Sequence, residues 1–161
     1  MGFDLYGMNA EAEEGDYYRA NVWYWRPLWQ YVTVACDDIL TGRDMERGEY
    51  NDGHRISKTK ANRIASRLKK LDKDGSIMKY ELGYKEYLTS LPKEECDICE
   101  GTGERRDEIG KEARKKDPSY TCNGCSGKGK KNNFNTSYPF ESEEVIRFAE
   151  FCEHSGGFEI C

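Results

Sequence analysis

The stretch YYRANVWYWRPLWQY, residues 17–31, holds seven of the twenty aromatic residues in a chain of 161 residues. Disordered chains are poor in aromatic side chains, so this cluster indicates a folded protein. Exposed rings in this segment could stack on nucleic-acid bases or grip a peptide, with Arg19 and Arg26 beside them. Because the rest of the chain offers little else to pack, we expect the cluster to form the hydrophobic core.

The residues around this segment predict four helices. Pro27 suits the first turn of the first helix, and Gly42 is a stop signal after it. Ser57 is a suitable N-cap for a second helix, in which apolar residues recur in a narrow stripe at helical spacing. The predicted helices cover residues 28–40, 58–72, 77–90 and 142–154.

The segments between the helices predict loops and short strands. Residues 42–56 predict a loop, because they combine three glycines with mixed charges. Residues 1–15 fit a short strand or an irregular arm. The last residues, Phe158-Glu159-Ile160-Cys161, alternate between apolar and polar positions and fit another short strand.

Charge is distributed unevenly along the chain. Residues 1–56 carry a net −6, residues 57–131 a net +6 and residues 132–161 a net −5. A basic middle segment of this kind either marks a binding surface or folds against the acidic parts. No run of about 18 apolar residues is present, so we expect no membrane partner. The N-terminal residues lack the basic and apolar regions of a signal peptide, and we therefore expect a cytoplasmic protein.

Two segments, CDICEGTG at residues 96–103 and CNGCSGKG at residues 122–129, share the pattern C-x-x-C-x-G-x-G. Two residues between the cysteines let one tight turn present both thiolates to the same ion. The glycines allow the backbone to approach the sulfur, so that N–H groups can donate hydrogen bonds to it. Two such knuckles supply four sulfurs, the ligand set of a structural zinc site. The predicted ligands of one structural zinc ion are Cys96, Cys99, Cys122 and Cys125.

Other uses of the twin motif are a redox-active pair or two disulfides. The duplication of both the cysteines and the glycines favours zinc over these alternatives. The polar segment between Cys99 and Cys122 is long enough for a hairpin but would bury almost nothing, so we expect its fold to depend on the metal. A closed site of four thiolates has no open coordination position and is not expected to be catalytic.

The twin motif resembles the cysteine-rich zinc-finger region of DnaJ co-chaperones, over residues 94–131. That region has four repeats and two zinc sites, whereas this chain has two repeats and therefore one site. The His-Pro-Asp signature of the J-domain is absent, so no co-chaperone activity is implied. The resemblance implies a zinc-binding β-hairpin that contacts protein or peptide. It would be an insert at residues 93–131 in a mainly α core domain (α+β is the alternative) of residues 1–92 plus 132–161.

The two ends of the chain carry a second resemblance. GFDLYG at residues 2–7 and SGGFEIC at residues 155–161 look like the ends of small uncharacterised bacteriophage proteins. This resemblance implies a protein that acts in the cytoplasm of an infected bacterium. Its partner would then be a host protein of defence or regulation.

A nucleic-acid surface is the alternative to a protein partner, because helix 58–72 has a high density of basic residues. The candidate nucleic-acid or partner contacts are Lys58, Lys60, Arg63, Arg67, Lys69, Lys70, Arg105 and Arg106. A charge run is usually a solvated face, and acidic segments on both sides would repel a polyanion. The sequence leaves open whether those acidic segments imitate a nucleic acid.

Three cysteines lie outside the twin motif. Cys36 falls in an apolar helical run and is expected to be a buried apolar residue. Candidate ligands for a second metal ion are Cys152, His154 and Cys161, with Cys36 or His54. Cys152 and His154 do not share one helix face, which disfavours that site. His54 lies in a loop rich in Gly and Asp, and we expect it to be solvated.

No catalytic set is recognisable in the sequence. Neither histidine belongs to a metalloprotease or triad pattern, and no glycine-rich phosphate loop with a lysine is present. We therefore expect a non-enzymatic zinc-binding protein that acts by protein–protein interaction, as a phage-encoded modulator or inhibitor of a host protein. The alternative is a nucleic-acid-binding regulator that uses helix 58–72 and the zinc knuckles.

Overall fold

A computed structural model describes residues 2–161. The helices are α1 (Val22–Ala35), α2 (Gly42–Arg47), α3 (Lys58–Lys73), α4 (Ser76–Ser90), α5 (Glu108–Lys116) and α6 (Ser142–His154). The strands are β1 (Gly2–Gly7), β2 (Tyr17–Asn21), β3 (His54–Ser57), β4 (Glu94–Glu95), β5 (Lys130–Lys131) and β6 (Gly157–Ile160). Helices make up about half of the chain. The predicted mainly α architecture with a β-hairpin is confirmed, in the form of a small α+β fold.

The chain forms two compact units. The first joins the chain up to Glu86 with Tyr138–Cys161, and the second is Tyr87–Ser137. A four-stranded antiparallel sheet in the order β2-β1-β6-β3 lies in the first unit. The two-stranded β4-β5 sheet lies in the second unit, which includes the whole 93–131 segment. No helix within residues 2–161 is long and apolar enough to cross a membrane.

Alternating side chains place one face of the larger sheet in the core. Phe3 and Leu5 of β1 are buried and lie opposite Ala20 and Tyr18 of β2, which are also buried. Behind the sheet, α3 and α6 pack against each other through apolar stripes. The helices predicted at residues 58–72, 77–90 and 142–154 and the strand predicted at the end of the chain are confirmed.

Helix α1 begins at Val22, so the prediction that Pro27 lies in its first turn is wrong. The N-cap is Asn21, whose side chain accepts a hydrogen bond from the backbone N–H of Trp23 at 3.0 Å. Pro27 therefore lies inside the helix, where it removes one backbone hydrogen bond. Pro27 and its neighbours Leu28 and Tyr31 are buried, and this burial offsets the lost hydrogen bond.

The segment 42–56, predicted to be a loop, forms α2 and β3 instead. Two buried tryptophans of α1 explain the difference. The indole N–H of Trp25 donates to the Gly48 carbonyl at 2.9 Å, and that of Trp29 donates to the Met45 carbonyl at 3.0 Å. The tryptophan rings stack with centroids 5.3 Å apart, as expected if the aromatic segment forms the core. Such contacts between distant segments produce no hydrophobic periodicity in the local sequence, so the sequence pattern does not reveal them.

Asp44 connects α2, β3 and α3 in one buried polar cluster. Its carboxylate accepts a hydrogen bond from the Thr41 N–H at 2.8 Å and one from the Lys60 ammonium. The Nε2 atom of His54 lies 3.0 Å from the same carboxylate, so the expectation of a solvated His54 is wrong. Burial raises the pKa of Asp44, but the hydrogen bonds from Lys60, Thr41 and His54 lower it more. The net pKa lies well below its usual range.

We expect Asp44→Asn to destabilise the first unit by about 2–3 kcal/mol at about pH 7, because it removes the charge that Lys60 faces. The folded-state pKa of Asp44 lies below its unfolded value, so its stabilising contribution is present above about pH 4 and is lost as the pH falls further. Urea unfolding of the wild type and the variant at about pH 7 and about pH 3 should therefore show a shrinking difference. The exposed Asp16 provides the control, since Asp16→Asn should change stability by less than about 0.5 kcal/mol. A difference in unfolding free energy between the wild type and Asp44→Asn that does not depend on pH would contradict this prediction.

Candidate metal centre

Four cysteine side chains converge in the second unit. The antiparallel pair β4 and β5 flanks the first knuckle (residues 96–103) and the second knuckle (residues 122–129). The sulfur atoms of the four cysteines all lie within 4.8 Å of one another, and all four residues are buried. The residues that meet are Cys96, Cys99, Cys122 and Cys125. The sequence-predicted ligand set therefore forms one zinc-finger-like cluster.

The separations between the sulfur atoms fit a tetrahedral ion. The Sγ atoms of Cys96 and Cys122 are 3.9 Å apart, and those of Cys99 and Cys125 are 3.7 Å apart. Four thiolates bound to one zinc ion, each at about 2.3 Å, would lie about 3.8 Å from one another. All seven cysteines are free thiols in the structure. The geometry is that of a four-thiolate metal-binding cluster.

The two knuckles are related by a pseudo-two-fold axis. Each residue of the first corresponds to the residue 26 positions later in the second, as Cys96 does to Cys122. The backbone hydrogen bonds are reciprocal: the Cys96 N–H donates to the Gly129 carbonyl at 2.9 Å, and the Cys122 N–H donates to the Gly103 carbonyl at 2.8 Å. The knuckles therefore hold each other through their own backbones.

Two glycines are required where the knuckles approach each other. The Gly103 N–H donates to Cys99 Sγ at 3.3 Å, and the Gly129 N–H donates to Cys125 Sγ at 3.2 Å. Both glycines have positive φ. A Cβ on Gly129 would lie 2.1 Å from the Gly101 carbonyl oxygen, and one on Gly103 would meet the equivalent carbonyl of the other knuckle at 2.4 Å. No side chain fits at either position.

Helix α5, which the sequence did not predict, lies between the knuckles. It begins after Asp107, whose carboxylate accepts a hydrogen bond from the Gly110 N–H at 2.9 Å. Gly110 is the only buried residue of this helix. The helix therefore shows no apolar stripe, the usual sign of a helix in a sequence. The available signal was the N-cap Asp107 followed by the good helix formers Glu, Lys, Ala and Arg.

Cys96 of the cluster differs in its pKa from two cysteines of the core. Burial raises the pKa of Cys96, but hydrogen bonds from the N–H groups of Ile98 and Cys99 and from neighbouring thiols lower it more, to about 7. Burial raises the pKa of Cys36 to about 11, and it raises the pKa of Cys152 well above its ordinary value. Of these three cysteines, only Cys96 therefore has an environment that favours the thiolate form that binds a metal. Cys36 is fully buried, as predicted.

The residues considered for a second metal site do not converge. Within residues 2–161, no other group of three or more Cys, His, Asp or Glu side chains comes together in the way that the four cysteines do. Cys36 and Cys152 belong to the apolar core of the first unit. His154 pairs with its neighbour Glu153 at 3.3 Å, and Cys161 is half-buried.

The basic side chains of α3 mostly pair with acidic groups of the first unit. Lys58 pairs with Glu11, Lys60 with Asp44, Lys69 with Glu153, and both Arg63 and Arg67 with Asp38. Lys70 and Arg106 are exposed. The Arg105 side chain is only 15% exposed and pairs with Asp107. The basic residues of α3 thus fold against the acidic segments, in agreement with the second of the two interpretations of the charge pattern.

Comparisons with models of protein families, with curated proteins and with solved structures gave no match. The likeness to zinc fingers therefore depends on two observations within this chain. One is the duplicated C-x-x-C-x-G-x-G motif, and the other is the convergence of its four buried cysteines.

Proposed function

We propose that this protein binds one zinc ion through the twin knuckles and that the ion stabilises the fold of the second unit. The observation that carries this proposal is the set of four buried sulfur atoms within 4.8 Å of one another. A tetrahedral set of thiolates is typical of structural zinc. Because four protein ligands leave no coordination position open, we propose no catalysis at this centre. The proposed ligands are Cys96, Cys99, Cys122 and Cys125.

The zinc-stabilised unit would act by binding another protein. The buried cluster of this unit consists of the four cysteines. Among its exposed apolar side chains, Ile98 in the first knuckle is 44% exposed, and Ile109 on α5 is 60% exposed. These exposed apolar side chains offer contact area to a protein partner. The phage-like ends at residues 2–7 and 155–161 support a bacterial protein as the partner, and a phage-encoded modulator acting in the host cytoplasm as the role.

A nucleic-acid-binding regulator is the alternative, and it has less support. Five of the six candidate contacts on α3 form ion pairs with carboxylates of the first unit. These ion pairs reduce the positive charge that is available to phosphate groups. Among the eight candidate contacts, Lys70 and Arg106 are exposed and lie outside the ion pairs described above.

A capture experiment from a nuclease-treated bacterial lysate tests the proposed partner class. We expect the zinc-loaded chain to retain a defined protein and the chain stripped of zinc to lose it. Ile109→Ser should weaken retention by about 10-fold if this residue lies in the interface. Val34 is 74% exposed in the first unit, and Val34→Ser is the control that should leave retention unchanged.

Two outcomes of the capture experiment would contradict the proposal. Retention that does not depend on zinc would show that the second unit is not the binding surface. Retention that is seen in an untreated lysate but is lost in the nuclease-treated one, and that weakens steeply with salt, would favour the nucleic-acid alternative.

A further inference from the structure

Each knuckle is followed by a basic residue that crosses to the other knuckle. The Arg105 Nη1 donates to Asn123 Oδ1 at 3.0 Å, and the Lys131 Nζ donates to Asp97 Oδ1 at 2.7 Å. Asn123 and Asp97 each directly follow the first cysteine of their knuckle. The two contacts are related by the same offset of 26 positions that relates the cysteines. The pseudosymmetry of the metal centre therefore includes this pair of cations.

We propose that Arg105 and Lys131 are positioning residues of the metal centre. Arg105 holds Cys122 in place through Asn123, and Lys131 holds Cys96 in place through Asp97. Each cation also offsets part of the negative charge of the four-thiolate zinc centre. The inference depends on the proposed zinc binding. A divalent zinc ion with four thiolates is a doubly negative centre, and cations beside it reduce the cost of burying that charge.

Helix α5 fixes the position of Arg105. Asp107 accepts a hydrogen bond from Arg105 Nε at 2.8 Å while it caps the helix through Gly110. Arg114 Nη1 donates to the Arg105 carbonyl at 2.8 Å, and a Cβ on Gly110 would lie 1.9 Å from that carbonyl oxygen. The Arg105 side chain is accordingly 15% exposed, against 39% for Lys131. The polar segment between the knuckles thus has a role: it holds Arg105.

The surrounding charges agree with this arrangement. Hydrogen bonds to neighbouring carboxylates raise the pKa values of Arg105 and Lys131, and the thiolates of Cys122 and Cys96, respectively, act in the same direction. Each cation therefore lies in the field of the first cysteine of the opposite knuckle. Replacing residues that orient metal ligands typically costs about 10- to 100-fold in metal affinity.

The test compares the rates at which zinc passes from the folded chain to a chromophoric chelator. Arg105→Ala and Lys131→Ala should each release zinc about 10-fold faster than the wild type, with the larger effect at Arg105. Lys111→Ala is the matched control. It removes the same charge from α5, where Lys111 pairs with Glu108, and its rate should stay within about twofold of the wild type. The zinc release rate of Arg105→Lys should lie between those of the wild type and Arg105→Ala, because lysine keeps the positive charge but lacks the planar guanidinium group.

Cobalt in place of zinc gives a second readout. Its absorption reports whether four sulfurs still surround the ion, and this distinguishes faster release from an unfolded unit. Wild-type release in both alanine variants, or equal acceleration in Lys111→Ala, would overturn the inference while zinc binding stands. Arg105→Ala could also fail to coordinate cobalt. In that case, zinc release at the wild-type rate in both Lys131→Ala and Arg105→Lys would overturn the inference. A wild-type chain that binds no zinc would overturn the proposed function, and this inference with it.

Discussion

Replacing Cys122 with serine is expected to abolish tight zinc binding and to unfold the second unit. The buried cluster of this unit consists of the four cysteines, whereas the first unit has an extensive apolar core of its own. Zinc binding supplies about 10–16 kcal/mol in small zinc-dependent domains, so losing one of four thiolates should cost roughly 3 kcal/mol or more. That cost is on the order of 100-fold in affinity.

Zinc content after dialysis and hydrogen exchange of the backbone amides measure these two effects. In Cys122→Ser, we expect loss of protection across residues 87–137 and retained protection in α3 and α6. The matched control is Cys161→Ser, since Cys161 is half-buried and its backbone pairs with Asp4 whatever its side chain. The control should keep one zinc per chain. Equal zinc content in both variants would contradict the assignment of Cys122 as a ligand.

Gly129→Ala is expected to have the second largest effect. The new Cβ would lie 2.1 Å from the Gly101 carbonyl oxygen, at a backbone position with positive φ. Positive φ alone costs an L-residue about 1–2 kcal/mol, and the collision with a rigid backbone atom should raise the total above about 3 kcal/mol. Chelator competition should therefore show a loss of zinc affinity of more than about 100-fold.

Gly101→Ala separates the collision from the strain. Gly101 also has positive φ, but the atoms nearest to its Cβ would belong to the Glu95 side chain, at 3.1 Å, and that side chain can move. We expect a loss of about 10-fold in zinc affinity for this variant. If the two alanine variants lose the same affinity, the close approach of the two knuckle backbones is not what requires Gly129.

Where a pattern is local, the sequence predicted the fold well. The narrow apolar stripe that includes Ile64 and Leu68 was enough to place α3, and Ser57 is its N-cap in the structure. The segment 42–56 was misassigned because its order comes from the indoles of Trp25 and Trp29, which lie on another helix. Propensity within a short window cannot report such contacts.

The candidate site shows the same division. The four ligands could be read directly from the duplicated motif, because their spacing reflects the geometry of one ion. The cations that cross between the knuckles could not be predicted from the sequence, since Arg105 and Lys131 belong to no recognisable motif. Their partners become visible only when the knuckles are superimposed by their offset of 26 positions. Asp97 and Asn123 then prove to be equivalent residues.

The central pairing of β1 with β6 sets the order in which a newly made chain can fold. Leu5 pairs with Ile160, so this contact needs the closure of a very long loop. Until β6 emerges during synthesis, β1 has only β2 beside it and exposes an open strand edge. The knuckles need only the closure of the segment from Cys96 to Cys122, a much shorter loop. A nascent chain can therefore form the proposed metal site first, and the sheet that organises the aromatic core is completed last.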